Sequence, residues 1–333
     1  MPELRKDPIV GRWVIISPER GKRPSDFSAA AIGQKDEFCP LCPGNEALTP
    51  PEIFAFRKED TGPDQPGWQI RVVPNKYPAL QPQGQMERRN EGVFDWMNGI
   101  GSHEIVIETP DHEVELTDLP LDSVKKILFV YKVRIEELSK DPRFQHVVVF
   151  KNRGKEAGAS LRHSHSQIIA LPIIPKRIME ELYGGRRYYR NKERCVFCEM
   201  VEQERQQSVR VVDENGDFVS FNPFAARFPF ETWIMPKRHM SHYSRIEQHQ
   251  FQSLAWILSR ALKRLDTVLG IPPYNLIFHS APILKEDLPY FHWHIEIIPK
   301  VTKVAGFEWG TGFYINPTPP EQSAVYLREV SLP

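Results

Sequence analysis

The residues of this chain with the greatest capacity for chemistry occur twice, in the same order. Cys39 and Cys42 (CPLC) precede His112, at the end of ETPDH, and then His163-Ser164-His165-Ser166-Gln167. Cys195 and Cys198 (CVFC) precede His239, at the end of MPKRH, and then His292-Trp293-His294. The step from His112 to His239 equals that from His163 to His292 to within two residues. A Cys-x-x-Cys turn offers two thiolates to one ion, and distant imidazoles complete the tetrahedral shell that Zn²⁺ prefers. The pattern predicts a duplicated chain with two zinc ions. Cys39, Cys42, His112 and His163 form the first site, and Cys195, Cys198, His239 and His292 the second. His103 and His242 are rival ligands, but the repeat favours His112 and His239. A redox Cys-x-x-Cys lacks its strand-motif-helix context here.

In an extended strand, residues two apart share a face. His163, His165 and Gln167 therefore project together, while Ser164 and Ser166 face away or bond backbone. A metal on His163 anchors the strand and holds His165 beside it. A neutral imidazole whose other nitrogen is hydrogen-bonded is a competent nucleophile. Attack on phosphorus gives a nucleotidyl-imidazole, and the Gln167 amide can donate to a non-bridging oxygen as charge develops. The loop Asn152–Ser160 brings Gly154, Gly158 and Ser160, small enough for backbone amides to approach phosphate. His294 aligns with His165 but is followed by Ile295 and Glu296 rather than Ser-Gln. It reads as a packing residue, which leaves one active site per chain.

The elements that must position these residues are legible from periodicity. Strand-like runs lie at 103–108, 146–151, 167–171, 231–235, 274–278 and 293–298. Helical stripes run over 121–138 (Val124, Ile127, Leu128, Tyr131, Ile135, Leu138) and 249–269 (Phe251, Leu254, Ile257, Leu258, Leu262, Leu265, Leu269). Thirty prolines keep the remaining segments short. The expected fold is α+β: two duplicated halves, a mostly antiparallel sheet and helices packed on it. The halves are residues 1–178, with the catalytic strand and first metal site, and 190–333, with the second metal site. Between them Gly184, Gly185, Arg186, Arg187, Tyr188, Tyr189 and Arg190 read as a solvated basic-aromatic linker.

Forty-three basic and forty-three acidic residues in 333 cancel, so no cationic nucleic-acid footprint is expected. The N-terminus has no signal-peptide architecture, and no apolar run approaches the ~20 residues of a membrane span. A cytoplasmic protein with no nucleic-acid or membrane partner is expected.

Several of these segments together resemble one family. PNKYPAL, PDH, FKN with GAS and HSHSQ, and PFETWIMPK are similar to galactose-1-phosphate uridylyltransferases, the double-half branch of the histidine-triad superfamily. The resemblance runs from ISPERGKRP to GFEWGTGFYINP. It implies a ping-pong exchange. His165 attacks the α-phosphorus of UDP-glucose, glucose 1-phosphate leaves, and a second hexose 1-phosphate takes UMP with net retention at phosphorus. It further implies Asn75 and Asn152 on the nucleotide and its phosphates, and Arg20 and Arg23 on ribose or phosphate. Ser160 would contact the leaving phosphate and Gln167 the transferred one. Gly306, Phe307 and Glu308 would hold the hexose, and the assembly would be a homodimer.

The chain also departs from that pattern. Many bacterial members place iron in the second half with one glutamate and three histidines, where this chain has CVFC, His239 and His292. In this, and in its GTGFYINP tail, it resembles the double-zinc plant branch that acts as ADP-glucose phosphorylase. The alternative expectation is thus AMP transfer from His165 to inorganic phosphate. A histidine-triad hydrolase is a weaker one, because that chemistry uses a third histidine where Gln167 stands. A zinc-stabilised nucleic-acid-binding module is opposed by the neutral charge.

Overall fold

The computed structural model describes residues 2–18, 38–283 and 286–332. The first half contains β1 (Glu3–Lys6), β2 (Trp13–Ile16), β3 (Phe54–Arg57), β4 (Trp68–Pro74), β5 (Arg88–Glu91), β6 (Phe94–Met97) and β7 (Ser102–Ile107). Then come α1 (Leu121–Leu138), β8 (His146–Arg153) and β9 (His165–Leu171). Helix α2 (Lys176–Lys192) leads into α3 (Val196–Gln207), β10 (Val211–Glu214), β11 (Phe218–Phe221), β12 (Thr232–Pro236) and α4 (Gln250–Leu269). The chain closes with β13 (Tyr274–His279), β14 (His294–Pro299), α5 (Gly306–Thr311), β15 (Tyr314–Asn316) and α6 (Pro320–Glu329).

Ten of these strands form one sheet in the order β10-β11-β12-β14-β13-β8-β9-β7-β4-β3. Its pairings are antiparallel throughout. From centre to edge, β8-β9-β7-β4-β3 mirrors β13-β14-β12-β11-β10, so each half contributes five strands in the same arrangement. The halves are joined at β8 and β13, in register from Tyr274↔Arg153 to Phe278↔Val149. The duplication expected from the cysteines and histidines is the symmetry of the sheet itself.

Strand alternation then divides the sheet into two faces. One face carries Val72, Val106, Val149, Ile168, Phe278, Leu276, Ile295, Ile297 and Ile234, and it is buried under α1 and α4. Both helices fall where the apolar period placed them, with every residue of the two predicted stripes buried. Helix α4 stops at Gly270, whose φ of 70° closes the helix in a conformation that costs glycine little. Burying each large apolar side chain there contributes roughly 1.5–3 kcal/mol. The opposite face carries His103, Asn152, His165, Gln167, His279, His294 and Glu296.

The expected solvated linker is a helix instead. Arg186, Arg187 and Arg190 are exposed, but Gly184 and Gly185 are buried. A Cβ on Gly184 would meet the carbonyl oxygen of Ile9 at 1.8 Å, and one on Gly185 that of Tyr290 at 2.2 Å. The two glycines therefore let α2 dock backbone-to-backbone against both halves. No helix among the described residues is long and apolar enough to cross a membrane.

Candidate functional site

Both predicted donor sets come together. The ligand atoms of Cys39, Cys42, His112 and His163 lie within 4.8 Å of one another, as do those of Cys195, Cys198, His239 and His292. Different local structures deliver the thiols. Cys39 and Cys42 sit in an irregular turn held by Asn45 Nδ2 on the Cys39 carbonyl at 2.8 Å. Cys195 caps α3, and Cys198 lies in its first turn. An ion about 2.3 Å from sulfur and 2.0 Å from nitrogen in tetrahedral geometry separates those ligands by about 3.5 Å. The observed Sγ–Nδ1 separations are 3.7, 3.4 and 3.5 Å in the first cluster and 3.2 and 3.5 Å in the second. His163 turns Nε2 to the Thr109 carbonyl at 2.7 Å, and His239 turns Nε2 to that of Leu288 at 3.0 Å. Such bonds leave Nδ1 as the ligand atom. The bond from the Cys198 thiol holds Cys195 below the ordinary thiol range, against burial, and Cys198 is raised in return. Both clusters fit a metal such as zinc. His103 and His242 belong to neither.

His165 opens β9 and is buried, 6 % exposed. Its Nδ1 donates to the carbonyl oxygen of His163 at 2.7 Å, which leaves the lone pair of the neutral ring on Nε2. Burial lowers its proton affinity most, nearby Lys151 lowers it further, and the bond to His163 opposes both; the net direction is down. Gln167 lies two residues on along the same face, its Oε1 2.8 Å from His103 Nε2. Asn152 shares that face on β8, with Oδ1 accepting from Asn275 Nδ2 at 2.7 Å. The loop beyond it turns at Gly154 (φ 82°) and Gly158 (φ 90°) and brings Ser160 to the surface. Asn75 is in the turn after β4, with Oδ1 accepting from the Tyr77 amide at 2.9 Å. Gly306, Phe307 and Glu308 open α5, an exposed helix whose Glu308 accepts from the Ala305 amide at 2.9 Å. No hydrogen bond among the described residues links α5 to the His165 strand. Arg20 and Arg23 lie outside the described residues.

Ser164 and Ser166 do face away, into a polar network not foreseen from sequence. Lys151 Nζ reaches Glu108 at 2.8 Å and Ser164 Oγ at 2.9 Å, and Tyr131 donates to Ser166 Oγ at 2.8 Å. Lys151 and Glu108 are 2 % and 0 % exposed. Lys151 was visible in FKN, but nothing local marked it as buried. Burial, the strongest influence on Glu108, would raise it; Lys151 and Ser164 outweigh that and hold it below the ordinary carboxylate range.

The second half repeats this geometry but closes it. His294 Nδ1 lies 3.2 Å from the His292 carbonyl, matching the bond of His165. Its ring, however, is packed between Trp233 (centroids 4.6 Å) and His279 (4.5 Å) and is fully buried. His279 bonds Glu181 of α2 at 3.0 Å and lies 3.3 Å from Glu296, which pairs with Arg227. Burial pulls His279 down, but Glu181 and Glu296 outweigh it and raise it to about 9. His294 is thus enclosed between two rings, where His165 has no such aromatic partners among the described residues. The sequence had opposed a glutamate-histidine site to a Cys₂His₂ site in this half; the fold holds both donor sets, Glu181-His279-His294 beside Cys195-Cys198-His239-His292.

The sheet of duplicated halves, with a buried histidine beside a Cys₂His₂ cluster, belongs to a class of nucleotidyltransferases. The model for the galactose-1-phosphate uridyl transferase N-terminal domain matches residues 1–175, and that for the C-terminal domain matches 181–328. This chain is a member of the galactose-1-phosphate uridyl transferase family. It is 40% identical to ADP-glucose phosphorylase of Arabidopsis thaliana, over 99% of this chain and 93% of that one. It is 34% identical to galactose-1-phosphate uridylyltransferase of Thermotoga maritima, over 100% of this chain and 99% of that one. The crystal structure of the Arabidopsis ADP-glucose phosphorylase with bound ADP-glucose matches with a TM-score of 0.83 at 38% identity, covering 100% of both chains. A uridylyltransferase structure matches with a TM-score of 0.77 at 32% identity, covering 98% of this chain and 97% of that one.

Proposed function

We propose that this enzyme transfers a nucleotidyl group from a nucleotide sugar to an acceptor through a covalent bond to His165. The observation that carries the reading is the 2.7 Å bond from His165 Nδ1 to the His163 carbonyl, which aims a neutral Nε2 lone pair out of a buried ring. In the first step Nε2 attacks the α-phosphorus, the bond from phosphorus to the bridging oxygen breaks, and a hexose 1-phosphate leaves. Gln167 donates its amide hydrogens to a non-bridging oxygen where charge grows. In the second step the acceptor oxygen attacks the same phosphorus and His165 leaves as neutral imidazole.

Within this reading Ser160 contacts the leaving phosphate. Asn75, Asn152, Arg20 and Arg23 hold the nucleotide and its phosphates, and Gly306, Phe307 and Glu308 hold the hexose. The two Cys₂His₂ clusters bind one zinc each. Such ions neutralise the thiolates and staple distant segments, and the first steadies the strand bearing His165. The chain divides functionally into 1–178 and 190–333, works as a homodimer and resides in the cytoplasm, where its free cysteines stay reduced.

The donor is UDP-glucose with a hexose 1-phosphate acceptor, the reading drawn from the sequence motifs. A second reading, ADP-glucose with inorganic phosphate, is favoured by the 40% identity to the plant phosphorylase. Incubation with each nucleotide sugar, without acceptor, followed by peptide mass measurement tests both. UMP on His165 supports uridylyl transfer, and AMP supports phosphorolysis. Absence of any adduct, with turnover surviving His165→Ala, removes the covalent mechanism.

A further inference from the structure

We propose that His103 is a positioning residue that sets which end of the Gln167 amide faces the transferred phosphate. The proposal rests on the nucleotidyl-transfer reading and deepens it. His103 lies on β7 and Gln167 on the neighbouring β9, where Ile105 pairs with Gln167 and His103 with Ile169. The two are therefore diagonal neighbours on one face of the sheet. His103 Nε2 is 2.8 Å from Gln167 Oε1, and the Ala79 amide nitrogen is 3.1 Å from His103 Nδ1.

The backbone amide decides the chemistry of that contact. An N–H can only donate, so His103 Nδ1 must accept. In the neutral ring the hydrogen then sits on Nε2 and is donated to Gln167 Oε1. Asn75 helps place this segment: its backbone amide donates to the His103 carbonyl at 2.7 Å. Its side-chain Nδ2 lies 3.1 Å from His103 Nε2 and 3.5 Å from Nδ1, and as a donor it makes no hydrogen bond to an Nε2 that carries the hydrogen. With Oε1 tied to His103, the Gln167 Nε2 hydrogens remain for the face shared with His165. Without that tie the terminal amide torsion is soft and nearly two-fold. The carbonyl end, which repels a phosphate oxygen, would then compete for the same place. From sequence His103 drew notice only as a rival metal ligand, and the structure assigns it elsewhere.

The test is single-turnover formation of the His165 adduct from UDP-glucose and ADP-glucose. His103→Ala should slow adduct formation by roughly 10- to 100-fold, the scale of a misaimed catalytic group, with KM for the sugar nucleotide changed far less. His103→Gln, which restores an amide donor to Oε1, should recover most of the loss and also shows that the site still folds. In a Gln167→Ala background, His103→Ala should add nothing. Wild-type rates in His103→Ala, losses that multiply in the double variant, or a loss confined to KM would each overturn the role. An intact chain that forms no adduct with either sugar nucleotide overturns the transfer reading itself, and this role with it. An active wild type with an equally active His103→Ala overturns the role alone.

Discussion

Nδ1 of His165 donates to the carbonyl oxygen of His163 at 2.7 Å, so the candidate nucleophile is oriented by the backbone of a candidate metal ligand. The two residues are also only two positions apart in the chain. Distortion at the first Cys₂His₂ cluster is therefore transmitted to the reacting nitrogen.

His165→Ala should lower transfer on the order of 10⁴-fold or more, as removal of other covalent nucleophiles does. Gln167→Ala should cost about 10²–10³-fold in kcat, the scale of one lost oxyanion donor. His294→Gln should leave the adduct at one nucleotide per chain. Two nucleotides per chain in the wild type, counted by intact mass, would contradict the single site.

Metal content and stability should change together. Plasma emission spectroscopy should find two zinc ions per chain, and chelation under mild denaturant should remove them and lower the melting temperature sharply. Structural zinc contributes on the order of 10 kcal/mol. Cys39→Ser should reduce transfer along with stability, whereas Cys195→Ser should act mainly on stability. Retention of both ions in either variant would count against the assigned ligands.

Stability should depend on pH through the buried Glu108–Lys151 pair. Burial opposes the charge of Glu108, but Lys151 and Ser164 hold it below its ordinary value of 4.5. A depressed carboxylate contributes stability that is full above pH 4.5 and is lost as pH falls below it toward the lowered value. Glu108→Gln should cost roughly 3–5 kcal/mol at pH 7, because it leaves the buried Lys151 charge only the longer carboxylate contact, to Glu115 at 3.7 Å. The gap in urea midpoint between the two proteins should narrow as pH drops below 4.5. A gap that stays constant down to pH 3 would show that Glu108 is not held below its ordinary range in the folded chain.

Gly184→Ala should destabilise the chain by roughly 1–3 kcal/mol, because the new methyl group meets the Ile9 carbonyl at 1.8 Å and the backbone must shift. Gly216→Ala, where nothing lies within 4 Å, is the control and should melt as the wild type does. Equal melting of the two variants would contradict the close docking of α2.

The parts legible from sequence are those with a local period or a repeated motif. Val124, Ile127, Leu128 and Tyr131 mark α1 because an apolar stripe repeats every turn. The eight metal donors stand out because duplication repeats their order. The basic-aromatic segment around Gly184 was misread as a solvated linker. Its charges suggested solvent, while its burial depends on carbonyls of Ile9 and Tyr290, far away in the chain. The Lys151–Glu108 pair was missed for the same reason, since a lysine inside a strand motif carries no sign of its depth.

The sequence by itself determined that there are two halves, that each gathers two cysteines and two histidines, and that only one His-x-His continues into Ser-Gln. Those are matters of residue type and spacing. Only the tertiary structure decided how the two equivalent histidines are enclosed: His165 is 6 % exposed and His294 is fully buried. Glu181 and His279 meet across 98 residues of chain, and their pairing, with Trp233 on the other side, seals His294 under α2. The contacts from His103 to Gln167 and from Lys151 to Glu108 were decided in the same way. They form where strands and helices distant in sequence are brought together by burial of the apolar face, and no local pattern encodes that encounter.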